Sequence, residues 1–337
     1  MLAVLFAALV GSVSLAVAVG AVRIPPASAF RLVTWKLGFT ERPDDISRAT
    51  EVILFQLRLP RVALAAFVGL ALAVSGTLFQ GLFRNPLADP AIIGVSSGAA
   101  LGAVFVIVLG GGALLGGLGV SVAAFAGGML TAFFVYRLAR VGPAVHVATL
   151  LLAGIAVAAV ISAGMTLVMS LAGDEIRSIY YWLLGGLSAR GWTAIQIVAP
   201  LILLGVAGAM VLIRDLNLVS LGEERAAQLG VDVDRFKWQA VALGALLAGA
   251  AVSVSGVIGF VGLMTAHVLR LVVGADHRRL LPAVVLAGPT FLVLADLVAR
   301  VALAPQELPL GVVTALLGGP FFLVLLRRER KRAGAAA

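Results

Sequence analysis

Few residues in this 337-residue chain are of types that could do chemistry, and most stand at the ends of apolar runs. Asp296 lies inside such a run, four residues before Arg300. That spacing puts both on one helix face, where they could pair. An acid at that depth could equally be an ion relay. His267 and Arg270 close another run, where the histidine could be a ligand, a lid group or a hydrogen-bonded helix end. His146 and His277 lie at loop edges and carry no assignment. No G-x-x-x-x-G-K-[ST] occurs, and none of the three lysines (Lys36, Lys237, Lys331) follows a glycine-rich turn, so the chain has no phosphate-binding loop of its own. HExxH and GxSxG are absent, and there is no cysteine for a disulfide or thiolate site. Nothing here supports an enzyme, a metal site or a bound cofactor.

Two polar segments have patterns of their own. Arg84-Asn85-Pro86-Leu87-Ala88-Asp89-Pro90 sets two prolines around a short turn and stops the helices on either side. The small residues of Ile93–Gly102 that follow suit either a tight helical hairpin or irregular backbone inside a bundle. Residues 214–237 are capped rather than loose. Ser220 and Glu223 have the spacing of a capping box, Ala226, Ala227 and Leu229 continue a helix, and Gly230 suits a left-handed stop. Asp232 or Asp234 can start a second short turn. This reads as an ordered loop, or as a rigid knob for a partner.

The elements that hold these residues are membrane spans. Hydrophobic residues make up 61% of the chain and charged ones 12%, half the usual share for a soluble domain (about 25%). The mean hydropathy is +1.11. The net charge of +9 is spread over short loops rather than gathered on one face, which argues against nucleic acid and for lipid. Apolar runs fall at about 1–22, 60–83, 90–110, 118–137, 146–171, 192–213, 238–256, 258–274, 280–302 and 308–326. The first lacks a basic leader and reads as a span, not a signal peptide. With both termini inside, 15 Lys and Arg lie inside and 10 outside, seven of those in or beside the first loop at 23–61. Setting that loop aside, the ratio of 15 to 3 supports cytoplasmic termini, while the loop's own charge breaks the rule. Val62–Gly76 and Ala242–Gly256 match at six of fifteen positions, 180 residues apart. The match is either shared small-residue composition or a repeat whose halves have opposite orientation. The fold class is therefore an all-α polytopic membrane protein of about ten transmembrane helices. It forms one transmembrane domain over 1–337, with two inverted five-helix half-repeats at about 1–190 and 191–337.

In their order, several motifs resemble the permease subunits of the vitamin B12, haem and ferric-siderophore type II ABC importers. They are Arg58-Leu59-Pro60-Arg61, Ser75-Gly76, Gln80, Arg84–Pro90, Leu151–Gly154, Trp182–Gly186, Gly259–Leu263 with His267 and Arg270, Asp276-His277-Arg278, and Glu307–Thr314. The resemblance implies a homodimer around a central path, two copies of a separate ABC ATPase subunit, and a periplasmic substrate-binding protein, in a cell inner membrane. It carries binding-protein docking onto Arg58, Arg61 and Arg300. ATPase coupling goes to helices at about 218–236, with Leu221, Gly222, Glu223, Glu224, Leu229 and Gly230 at the contact. The cytoplasmic gate goes to Val147 and Ala148, where the cobalamin branch has small hydroxyl residues. The Arg84–Pro90 loop with Gly94–Gly98 looks more like the haem and siderophore branch. An iron complex is therefore the expected cargo, with cobalamin as the alternative and an ion-coupled secondary transporter as a distant one.

Overall fold

The computed structural model describes residues 1–337 except 21, 112–116, 143, 189 and 335–337. The side chains of Arg328, Arg330, Lys331 and Arg332, part of the expected basic tail, lie outside the described residues. Fourteen helices are named here in chain order. They are α1 (Leu2–Ala18), α2 (Pro26–Lys36), α3 (Arg48–Leu82), α4 (Val95–Val108), α5 (Gly119–Leu138), α6 (Val147–Ser170) and α7 (Ile176–Leu183). Then come α8 (Trp192–Val211), α9 (Ile213–Val219), α10 (Glu223–Gln228), α11 (Val233–Ser255), α12 (Val261–Val273), α13 (His277–Val301) and α14 (Leu310–Gly334). Among the described residues the one pair of strands is a two-residue hairpin, Arg140–Val141 against Ala144–Val145.

Helix α3 is the hub, packing on α13, α11, α12 and α8. Lipid tails are as apolar as leucine, so helices here gain little from hiding side chains and must gain from close contact. Glycine provides it. A Cβ on Gly76 would lie 2.6 Å from the backbone of Gly262 in α12, and one on Gly69 would lie 2.8 Å from the Leu292 Cβ in α13. Polar groups buried in α3 are satisfied locally. Ser75 Oγ donates to the Gly244 carbonyl (2.8 Å), Thr77 Oγ1 to Ala73 (2.9 Å) and Gln80 Nε2 to Leu263 (3.3 Å).

The structure corrects the count of about ten full spans. Among the described residues, six helices are long and apolar enough to cross a membrane: α3, α5, α6, α8, α11 and α13. Four shorter apolar helices fall where the other spans are expected: Leu2–Ala18, Val95–Val108, Val261–Val273 and Leu310–Leu325. With 13 residues, α12 reaches only ~20 Å of a roughly 30 Å hydrocarbon layer. Irregular backbone supplies the remainder. Asn85–Gly94 is bent by an Asx turn at Asn85, by Asp89 accepting from the Ala91 N–H (2.8 Å), and by Gly94 at φ 80°. Its Ile92 carbonyl lies where a Cβ of Gly154 would stand. The irregular backbone ends at Gly94, and the small-residue run after it is mostly regular helix, α4. The first loop also differs from expectation. It holds α2, and α3 begins at Arg48 through a π-helical stretch, Ile53–Arg58. Pro60 has no N–H to offer, and the wider π turn accommodates the gap.

Gly76→Ala should force the α3–α12 crossing apart at a cost of about 1–3 kcal/mol. The check is thermal unfolding in detergent, where Gly164→Ala in α6, facing open space, should leave the midpoint unchanged or slightly raised.

Candidate functional site

Polar chemistry gathers at the two ends of α3. At one end, Arg61 projects from its first regular turn and Asp296 and Arg300 from the last turns of α13. Arg61 reaches Asp296 at 2.9 Å and Glu307 at 2.9 Å, and Arg300 Nε lies 3.1 Å from the other Asp296 oxygen. Asp296 is 1% exposed, Arg300 7% and Arg61 13%. The i,i+4 pair expected at Asp296 and Arg300 is present, and a second guanidinium from α3 completes it.

Arg58 and Arg300 also have a task the sequence does not announce. A helix ends with four carbonyls that lack intrahelical donors. Arg58 Nη1 donates to the carbonyls of Val17 (2.7 Å) and Ala18 (3.1 Å), and Nη2 donates to Val22. Arg300 donates to Ala16 (3.0 Å) and Val19 (3.4 Å). Two cations thus cap the negative end of α1. Gly20 leaves room for them, since a Cβ there would lie 2.9 Å from the Arg58 guanidinium.

Glu307 is the cluster's exposed member, at 42%. Burial pulls its carboxyl up, but the Ser188 hydroxyl (2.7 Å) and the charge and hydrogen bonds of Arg61 outweigh it and hold the group below its ordinary value. Two hollows, of about 510 and 660 Å³, flank the cluster and share Arg61, Ser188, Arg190 and Glu307. Burial pushes the Arg190 guanidinium down. The smaller hollow lies where three of the sequence motifs meet. The Gly186 N–H donates to Ser255 (2.8 Å), Leu310 to Gly185 (3.0 Å) and Gly311 to Leu184 (3.1 Å). A side chain at Gly256 would strike the Trp182 carbonyl. These glycines are therefore junction residues where three chain segments touch.

At the other end of α3, Arg84 lines a groove of about 340 Å³ with Leu221, Gly222, Glu223, Glu224 and Arg225. The expected knob is present as α9, α10 and the start of α11. Gly230, at φ 85°, is the left-handed stop, and the Val231 N–H bonds back to Ala226 (3.0 Å) in a Schellman closure. The capping box is not formed. Gly222 is the N-cap, Ser220 Oγ donates back to Asn217 (2.6 Å), and Glu223 is drawn off by Lys237 at 2.6 Å. Asp232 does start a helix, accepting from the Arg235 N–H (3.0 Å), but that helix is the 23-residue α11 and not a short turn. Leu221 and Leu229 are exposed at 56% and 52%. Val147 and Ala148 open α6, Val147 part-buried and Ala148 exposed.

Beside the knob, Asn217 ties α9 to α13. Its Nδ2 donates to Asp276 (2.7 Å), and its Oδ1 accepts from the His277 N–H (2.9 Å). Asp276 is held below the ordinary carboxylate range by the Arg278 N–H first and Asn217 second. The sequence reading passes over Lys237, Asn217 and Arg190. For Lys237 a signal existed: a lone lysine one turn into a span must find a carboxylate.

Asp296→Asn should strand two buried guanidinium groups, at about 3–5 kcal/mol, read as a large fall in thermal midpoint. Glu307 gives a pH test. Its folded value is depressed, so its contribution is present above the ordinary carboxylate range and is lost as pH falls through the folded value. The midpoint gap between wild type and Glu307→Gln should be full at pH 7 and close in that acid window.

Residues 7–328 match the FecCD transport family. The chain is 46% identical over 288 residues to the cobalamin import system permease protein of Halobacterium salinarum, covering 86% of this chain and 77% of that one. It is 45% identical over 283 residues to the hemin transport system permease protein of Yersinia pestis, covering 83% and 84%. Enteric vitamin B12 import permeases are 39–41% identical. A solved structure described as an inward-facing ABC transporter of metal-chelate type superposes with a TM-score of 0.83 at 32% identity, over 97% of this chain and 98% of that one. With six long apolar spans, no nucleotide-binding loop and this match along nearly its whole length, the chain belongs to the FecCD transport family, the permease subunits of type II ABC importers.

Proposed function

We propose that this chain pairs with a second copy and with two ATPase subunits, and passes a corrinoid of the cobalamin kind from a periplasmic binding protein to the cytoplasm. The observation that carries the reading is the separation of two polar clusters by the length of α3, in a chain without a phosphate-binding loop motif. One cluster sets three guanidinium groups against two carboxylates, with Glu307 its exposed member, and the reading assigns it to docking. The other presents Leu221 and Leu229 on a capped knob and suits a motor subunit. Both termini lie in the cytoplasm on this reading, which puts Arg58, Arg61 and Arg300 outside and Leu221–Gly230 inside. The chain forms one transmembrane domain, and Val147 and Ala148 stand at the inner gate.

The sequence motifs rank an iron complex first, whereas the relatives support a corrinoid better, since most of those named for a cargo are named for cobalamin. Haem or a ferric chelate is the second reading. The haem permease of Yersinia pestis supports it, as does the lack of hydroxyls at Val147 and Ala148.

Arg61 is the docking residue that binds no carbonyl of α1, and since it pairs with Asp296 and Glu307 its test carries a thermal-midpoint control. Arg61→Glu should weaken binding of the substrate-binding protein about tenfold or more, with a matching fall in association rate at low salt. For cargo, proteoliposomes holding the permease, its ATPase and its binding protein should accumulate cyanocobalamin only with ATP. Accumulation of haem or a ferric siderophore instead would select the second reading. No ATP-dependent uptake of any of them would overturn the class.

A further inference from the structure

Lys237 stands one turn into α11 and is 4% exposed. An ammonium so deep must be matched on every side it presents. Its Nζ lies 2.6 Å from Glu223 Oε2 in α10 and 2.7 Å from the Val145 carbonyl in the hairpin. The Val145 N–H donates to Asp234 Oδ1 (3.3 Å), so both backbone groups of Val145 are held by the first turn of α11. Only His146 separates Val145 from Val147, where α6 begins.

On one side of this strut, α10 is seated by Ala226, which is fully buried. The six-residue α10 hangs between Gly222 at φ 115° and Gly230 at φ 85°, conformations glycine adopts freely and which suit a pivot. A Cβ at Gly230 would meet nothing within 4 Å. Helix α6 is the least buried long span, with 6% of its apolar window covered by its own chain. Its buried residues, Leu150 and Gly154, lie near its N-terminal end, and the hairpin adds to their seating through Val145. Resting on the reading above, we infer that Lys237 is a positioning residue that carries displacement of α10 to Val147 and Ala148, and so fixes how much ATP is consumed per cargo molecule moved. Shifting Glu223 takes away the counter-charge of a buried cation. Lys237 must then follow it, and the Val145 carbonyl follows Lys237.

The test uses the complete reconstituted importer. Lys237→Met should leave assembly and ATP hydrolysis within about twofold of wild type while uptake falls about tenfold, so that ATP per cargo rises about tenfold. Lys237→Arg should recover part of the loss. Glu223→Gln, which keeps size and leaves Lys237 on Val145, should raise the same ratio and guards against a Met variant that fails to fold. The chain has no cysteine, so spin labels at Ala148→Cys and Leu229→Cys report without background. In Lys237→Met the ATP-driven distance change should persist at 229 and vanish at 148. Uptake and hydrolysis falling together at constant ratio, or an unchanged ratio in Glu223→Gln, would overturn the relay. A wild-type importer without ATP-dependent uptake would instead overturn the function on which the relay rests.

Discussion

The architecture depends on α3 touching its neighbours backbone to backbone. A helix buried on nearly every side in an apolar solvent has no water to expel, so its stability must come from packing density and satisfied polar groups. Gly69 and Gly76 on α3, with Gly262 and Gly288 facing them, bring the backbones together. Once α3, α12 and α13 are locked in this way, the ends of α3 are fixed in space. The two charged clusters at those ends inherit their positions from the crossing.

The clusters solve one problem in two ways. At the Arg61 end, three guanidinium groups share one buried acid, one half-exposed acid and the carbonyl end of α1. Delocalised, forked cations suit that many-sided load. At the Glu223 end a single ammonium sits between one carboxylate and one carbonyl. A point charge on a flexible stem makes a strut rather than a clamp. The first arrangement is dense and cross-linked, and the second hangs on one side chain between glycine pivots.

Much of this was legible in the sequence because apolar length and charged punctuation are one-dimensional signals. The positions of α5, α6, α8 and α13, the i,i+4 pair at Asp296 and the left-handed stop at Gly230 follow from local pattern alone. The shortfall in full spans was not legible. Val95–Val108 and Val261–Val273 lie in apolar runs long enough to cross, and irregular backbone at Asn85–Gly94 and Gly256–Phe260 interrupts them. The capping box failed for a related reason. Ser220 and Glu223 have the right spacing, but Lys237, fourteen residues on from Glu223, offers a stronger partner. Arg58 and Arg300 looked like surface charges because nothing local shows that α1 ends beside them.

Cells store energy as ion gradients across the same membrane these proteins cross, and any continuous file of water through a transporter would short that store. At the Gly76–Gly262 crossing no layer of side chains separates the helices, which leaves little room for such a file. The hydroxyls and amide nearby, Ser75, Thr77 and Gln80, are bonded to backbone carbonyls and have little left to offer water. A core packed in this way favours electrical insulation. The long helix α6 is the opposite case, with only 6% of its apolar window covered by its own chain.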